Sequence, residues 1–195
     1  MSFTSGPRQE RRRELNDLRD LRALAHPLRL ALLDHLMSFG EQTAARCAAA
    51  VGSTSSNCSY HLRALGRAGF VERAQSADGR ERPWRAAATG FRLDPGADTP
   101  AVRSAVQALA SVQLDEEFRL ARAYLRHEDE LAEPWRRSAE FNTYGLLATA
   151  EELRDLAARL DALIRPYLAP TRDDAPDDAR PVHVMLAAYL RPDAP

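Results

Sequence analysis

Residues 43–67 read TAARCAAAVGSTSSNCSYHLRALGR, and the punctuation of this stretch decides the fold. An alanine-rich helix spans about residues 43–50 and stops at Gly52. Ser53 or Thr54 can cap a second helix, because a hydroxyl there accepts from an orphan N–H of the first turn. That helix runs to about Arg67, and Gly69 releases the chain from helical geometry. Cys58, Leu62 and Leu65 stand at i, i+4 and i+7, which defines a buried stripe. The other faces carry Thr54, Ser55, Ser56, Asn57, Tyr60 and His61, then Arg63 and Arg67, with no acid among residues 53–67.

The period changes directly afterwards. Phe70-Val71-Glu72-Arg73 and Pro83-Trp84-Arg85-Ala86 are short strand candidates around an Asp78-Gly79 turn, so a hairpin follows the second helix. Arg80 and Arg82 belong to its tip, with Arg73 and Arg85 further down. On the amino-terminal side, leucines at 15, 18, 21 and 24 suggest a helix over 8–25. Pro27 suits the first position of another helix, running to about Met37 before Ser38-Phe39-Gly40 ends it.

Residues 90–100 read as a linker, placing a domain boundary near residue 95, with a first domain over 8–95 and a second over 96–195. The second domain opens with a helix at about 99–127 bearing Val102, Val106 and Leu109. A strand is expected over 141–147. Thr149 and Glu152 form a capping box for the helix that follows. Val182, Val184, Leu186, Ala188 and Leu190 alternate at period two, so a final strand is expected there. The expected fold class is mainly α with a small β wing, followed by a mostly helical α/β domain of strand–helix–strand form.

Charge divides along the chain. Residues 1–95 hold 15 Arg against 10 acids, and residues 96–195 hold 12 Arg against 18 acids, within a total near neutrality. A basic first half suits a polyanion, and an acidic second half suits a role away from it. A helix entering a major groove wants small or hydrogen-bonding residues toward base edges, with no carboxylate beside phosphate. A basic hairpin beside it can lie on the sugar–phosphate backbone or reach a minor groove. The expected DNA-binding residues are therefore Thr54, Ser55, Ser56, Asn57, Tyr60, His61, Arg63 and Arg67 with Arg73, Arg80, Arg82 and Arg85.

LRALAHPLRLALLDHL, then residues 43–73 and the hairpin, resembles the ArsR family of bacterial winged helix-turn-helix transcriptional regulators over roughly residues 15–90. The distinctive pieces are Ala25-His26-Pro27-Leu28-Arg29 and Ser59-Tyr60-His61-Leu62. The resemblance implies a homodimer on an operator of approximate two-fold symmetry, often a repressor until an effector releases it. It also implies that Asn57, Tyr60 and His61 face bases or nearby phosphates, with the wing between Arg73 and Arg85. The second half resembles helical extensions of some actinobacterial-type members. The alternative is a winged-helix protein-interaction module without specific DNA binding.

Two copies reading successive major grooves need centres about 34–36 Å apart, which also favours a dimer. Interface candidates are Leu15, Leu18 and Leu21 with Val102, Val106 and Leu109. Trp135, Phe141, Tyr144 and Tyr189 are candidates for a small-molecule effector pocket. Metal-sensing relatives carry a paired-cysteine motif where this chain has Cys47 alone, and His127 lacks a partner histidine four residues away. Metal and other cofactors are therefore not expected. Cys58 belongs to the buried stripe; Cys47, beside Arg46, is a weaker candidate for a redox switch. No phosphate-binding glycine loop, GxSxG elbow or HExxH sequence is present, so no enzyme is expected. Two cysteines, no long apolar run and no secretory signal point to the cytoplasm.

Overall fold

The computed structural model describes residues 12–15, 17–74, 82–93 and 99–193. Strand β1 (Arg12–Leu15) leads into α1 (Leu18–Leu24), α2 (Pro27–Phe39), α3 (Ala44–Val51) and α4 (Ser55–Arg67). Strands β2 (Val71–Arg73), β3 (Trp84–Ala86) and β4 (Gly90–Leu93) follow, then α5 (Pro100–His127), α6 (Glu133–Arg137) and α7 (Ala150–Ile164).

Local chemistry sets the helix ends. Asp17 caps α1 by accepting from the Arg19 N–H at 2.8 Å. Thr43 caps α3, and Gly52 ends it in the left-handed region at φ 63°. Thr54 caps α4 by accepting from the Asn57 N–H at 3.2 Å. Gly69, at φ 74°, turns the chain out of α4 toward β2. The capping box at Thr149 and Glu152 is formed on α7, with both reciprocal bonds made.

The amino-terminal expectation needs correction. Residues 12–15 are a strand, not part of a helix over 8–25, and they pair in parallel with Gly90–Leu93. The segment read as a linker from residue 90 thus supplies a ladder partner. Glu14 faces Arg92 in that register, and the two side chains form an ion pair. Leu15 and Leu21 are fully buried in the core, as is Leu109 of α5. Of the six interface candidates these three therefore pack inside the chain's own core, while Leu18, Val102 and Val106 are half-buried.

The chain divides into two compact units, Met1–Glu116 with Tyr167–His183, and Glu117–Pro166 with Val184–Pro195. The first holds the core, built from Leu21, Leu24, Leu32, Leu36, Leu62 and Leu65 with Phe70 and Trp84. The expected strands over 141–147 and 182–190 are not formed; both segments lack regular secondary structure, and residues 131–150 are all exposed. Alternation gives a strand its faces, but a ladder also needs a neighbour, and none is present there among the described residues. Glu133-Pro134 opens α6, with proline early in the helix where its missing N–H is tolerated.

Candidate nucleic-acid interface

Helix α4 sits on the core through one stripe. Cys58, His61, Leu62 and Leu65 are buried, at i, i+3, i+4 and i+7. On the other side Ser56, Tyr60, Arg63 and Arg67 form a stripe exposed to solvent, and Thr54, Ser55 and Asn57 of the first turn are exposed beside it. Asn57 Nδ2 donates to Ser53 Oγ at 3.1 Å, and the Thr54 and Ser56 hydroxyls lie 3.2 Å apart. These bonds pre-order the first turn of α4.

His61 departs from expectation. It is only 8% exposed, so it belongs to the seat of α4 and not to its open face. Its ring lies 4.5 Å from that of His26, the residue before α2, and edge-on to Tyr60 at 5.1 Å. Burial holds both imidazoles below their ordinary pKa, and Arg29 pushes in the same direction. The periodic signal was available: His61 stands three residues after Cys58 and four before Leu65. Its polar character masked that position.

The hairpin is fastened to α4 by Trp84. The Trp84 N–H and carbonyl bond with Gln42 at 2.8 and 2.9 Å, extending the two-stranded β2–β3 ladder by one bridge. The indole is 5% exposed and packs on Gly66, where an added Cβ would meet Cζ3 at 3.2 Å. Only glycine leaves that approach free of displacement. Arg73 stacks over the indole at 3.8 Å and donates to the Arg82 carbonyl oxygen. Arg13 secures the far end of α4, donating to the Ala68 carbonyl at 2.8 Å and pairing with Asp20. Sequence reasoning missed both devices, although a lone tryptophan beside Pro83 in a short strand was the available sign.

The arginines divide into two sets. Burial lowers the Arg73 pKa, and the like charges of Arg63 and Arg82 lower it further, which places helix and wing cations in one electrostatic neighbourhood. Arg82 is exposed. Arg85 is different: it bonds to Glu72 at 2.7 Å and pairs with Glu41 at 3.5 Å, and the Glu72 bond raises its pKa. Its charge is spent on tying β3 to β2. Arg80 lies outside the described residues.

Trp135, Phe141, Tyr144 and Tyr189, the candidate pocket residues, are all exposed, from 38 to 76%. No group of three or more His, Cys, Asp or Glu suited to a metal occurs among the described residues. No helix among them is long and apolar enough to cross a membrane.

Three helices with a capped α3–turn–α4 pair and a hairpin fastened to the second helix define a winged helix-turn-helix protein. A family model described as a helix-turn-helix domain matches residues 24–74. Solved structures similar to the chain include a possible transcriptional regulator for arsenical resistance, at 32% identity over 55% of this chain and 97% of that one, TM-score 0.33. Another is the homodimeric winged helix-turn-helix DNA-binding domain of a possible ArsR-family regulator from Mycobacterium bovis, at 27% identity over 51% and 76%, TM-score 0.34. A third is the transcriptional repressor BigR from Xylella fastidiosa, at 23% identity over 50% and 83%, TM-score 0.33. No curated protein matches the chain.

Proposed function

We propose that the protein is a sequence-specific DNA-binding transcriptional regulator, acting as a homodimer on a two-fold operator. Helix α4 enters the major groove, and the β2–β3 wing lies against the backbone. The observation that carries this reading is the acid-free exposed stripe Ser56, Tyr60, Arg63 and Arg67 of α4, electrostatically joined to Arg73 and Arg82 of the wing. Such a surface offers hydrogen-bonding side chains to base edges and cations to phosphates. Residues 8–95 form the reading domain, and residues 96–195 serve assembly and control. The ArsR resemblance supports a repressor that an effector releases.

Selection of bound sequences from a random duplex pool, followed by anisotropy titration, tests the proposal. One enriched motif with two-fold symmetry is expected, bound more weakly as salt rises. Absence of enrichment, with no salt-dependent binding, would support the protein-interaction module instead.

A further inference from the structure

We infer that Arg29 of α2 holds one phosphate of the DNA backbone at the edge of the α4 reading face, adding a contact to those of α4 and the wing. This contact rests on the DNA-binding reading and extends it to a helix outside the α3–α4 pair. Residues 26–29 and 60–61 meet where α2 begins: the His26 and His61 rings are neighbours, and His61 lies edge-on to Tyr60. Arg29 is within electrostatic reach of all three. Tyr60 is 59% exposed on the open stripe of α4, so Arg29 borders that stripe.

The surroundings of Arg29 favour an anion. It is the third residue of α2, whose first turn holds no acid, and the N-cap His26 makes no side-chain capping bond. A cation in a first turn opposes the helix dipole, whereas a phosphate there is favoured. The Nδ1 atoms of both imidazoles and Nε of Arg29 are buried without a hydrogen-bond partner among the described residues, and His61 as a whole is 8% exposed. Burial lowers the pKa of all three groups, and the charges acting on them come from one another and from Tyr60, with no carboxylate involved. Arg29 Nη2 donates to the Arg22 carbonyl at 2.9 Å, a neutral acceptor that fixes the guanidinium without neutralising it. A half-buried cation so placed gains from a counter-charge supplied from outside, and a phosphate matches the guanidinium fork. The DNA backbone is the source favoured here, because bases read by the α4 stripe bring their phosphates to its edge.

Anisotropy titrations of the full chain against a duplex of arbitrary sequence, at several salt concentrations, test it. Arg29→Gln, which keeps an N–H donor for the Arg22 carbonyl, is expected to lower the slope of log K against log salt by about 0.9. The advantage of the unaltered chain should accordingly shrink about threefold between about 50 and 200 mM salt. Arg29→Lys restores the charge and should restore most of the slope. An unaltered slope in Arg29→Gln would make Arg29 a structural clamp on Arg22, overturning the contact and leaving the α4 and wing interface standing. Absence of salt-dependent binding by the unaltered chain would overturn contact and interface together. Inorganic phosphate that raises the melting temperature of the unaltered chain but not of Arg29→Gln, with equal salt slopes, would assign the site to the free ion and overturn the DNA contact. Should Arg29→Gln fail to fold, the unaltered chain decides: an arginine-specific dicarbonyl reagent should modify Arg29 more slowly with duplex bound, and equal rates would overturn the contact.

Discussion

The rings of His26 and His61 lie 4.5 Å apart with their planes tilted by 41°, joining the start of α2 to the buried side of the helix that carries the candidate DNA-reading face. The Nδ1 atoms of both are buried and find no hydrogen-bond partner among the described residues. Arg29, with its Nε also buried, and Tyr60 complete the surroundings. These surroundings favour the neutral form of both imidazoles.

Stability should fall on the acid side as a result. Both folded-state pKa values lie below the ordinary 6.5. Near pH 8 both states are unprotonated, and the groups cost nothing. Below about 6.5 the unfolded chain takes up protons that the folded chain refuses, so stability drops until pH passes the folded values. The slope is at most about 1.4 kcal/mol per pH unit for each imidazole. Urea unfolding at pH 8 and 5.5 measures it. His61→Gln should flatten this acid limb without abolishing it, because burial lowers the His35 pKa as well. An unchanged limb would remove His61 from the explanation.

Gly66 and Trp84 make the wing's attachment a matter of volume. Gly66→Ala places a Cβ 3.2 Å from the indole but gains helix propensity of about 1 kcal/mol, so the net change should be small. Gly66→Val adds branches that the ring cannot accommodate and should destabilise the domain. Trp84→Ala empties the site, at a cost of about 3–5 kcal/mol. Both disruptive variants should also weaken DNA binding, although neither residue faces the DNA. Thermal melts with parallel anisotropy titrations check this; full affinity in a Trp84→Ala protein that still folds would contradict it.

Cys47 should be chemically quiet. It is fully buried, and its pKa is pushed up to about 11, chiefly by burial and further by Cys58. Arg46 does not offset this. At pH 8 only about one molecule in a thousand would present the thiolate that attacks disulfides. Burial raises the Cys58 pKa too, partly countered by a Ser53 hydrogen bond. An aromatic disulfide reagent should label neither cysteine quickly in the native protein and both after denaturation. Fast labelling of one thiol in the folded chain would reopen a redox role.

Much of the reading domain was legible because its boundaries are local events. Thr43, Gly52, Thr54 and Gly69 act within one turn of themselves, and α3 and α4 begin and end where those residues dictate. Strand β1 was not legible, because Arg12 pairs with Gly90 far along the chain and Leu15 also satisfies a helical spacing with Leu18, Leu21 and Leu24. His61 was misplaced for a different reason: residue type was weighed above the period that buries it. In the second half, alternation over 182–190 was visible, but a ladder depends on a neighbour that alternation does not supply.

Arg63, Arg73 and Arg82 provide the sharpest separation of DNA-contacting from structural cations. Arg73 faces the charges of Arg63 and Arg82, whereas Arg85 is held by Glu72 and Glu41. If the first three meet phosphates, replacing each with Ala should lower the slope of log K against log salt by about 0.9 for every phosphate left without its cation. The weakening should be similar on specific and random DNA, since phosphate contacts carry no base information. Asn57→Ala and Tyr60→Ala should instead leave the slope alone and relax the preference at one operator position, by about 1–3 kcal/mol for a good bidentate contact. Arg85→Ala should leave the slope unchanged and loosen the β2–β3 pair. Titrations of all variants at several salt concentrations decide the matter. A slope that falls as far for Arg85→Ala as for Arg82→Ala would show that charge reaches the DNA without regard to these ion pairs.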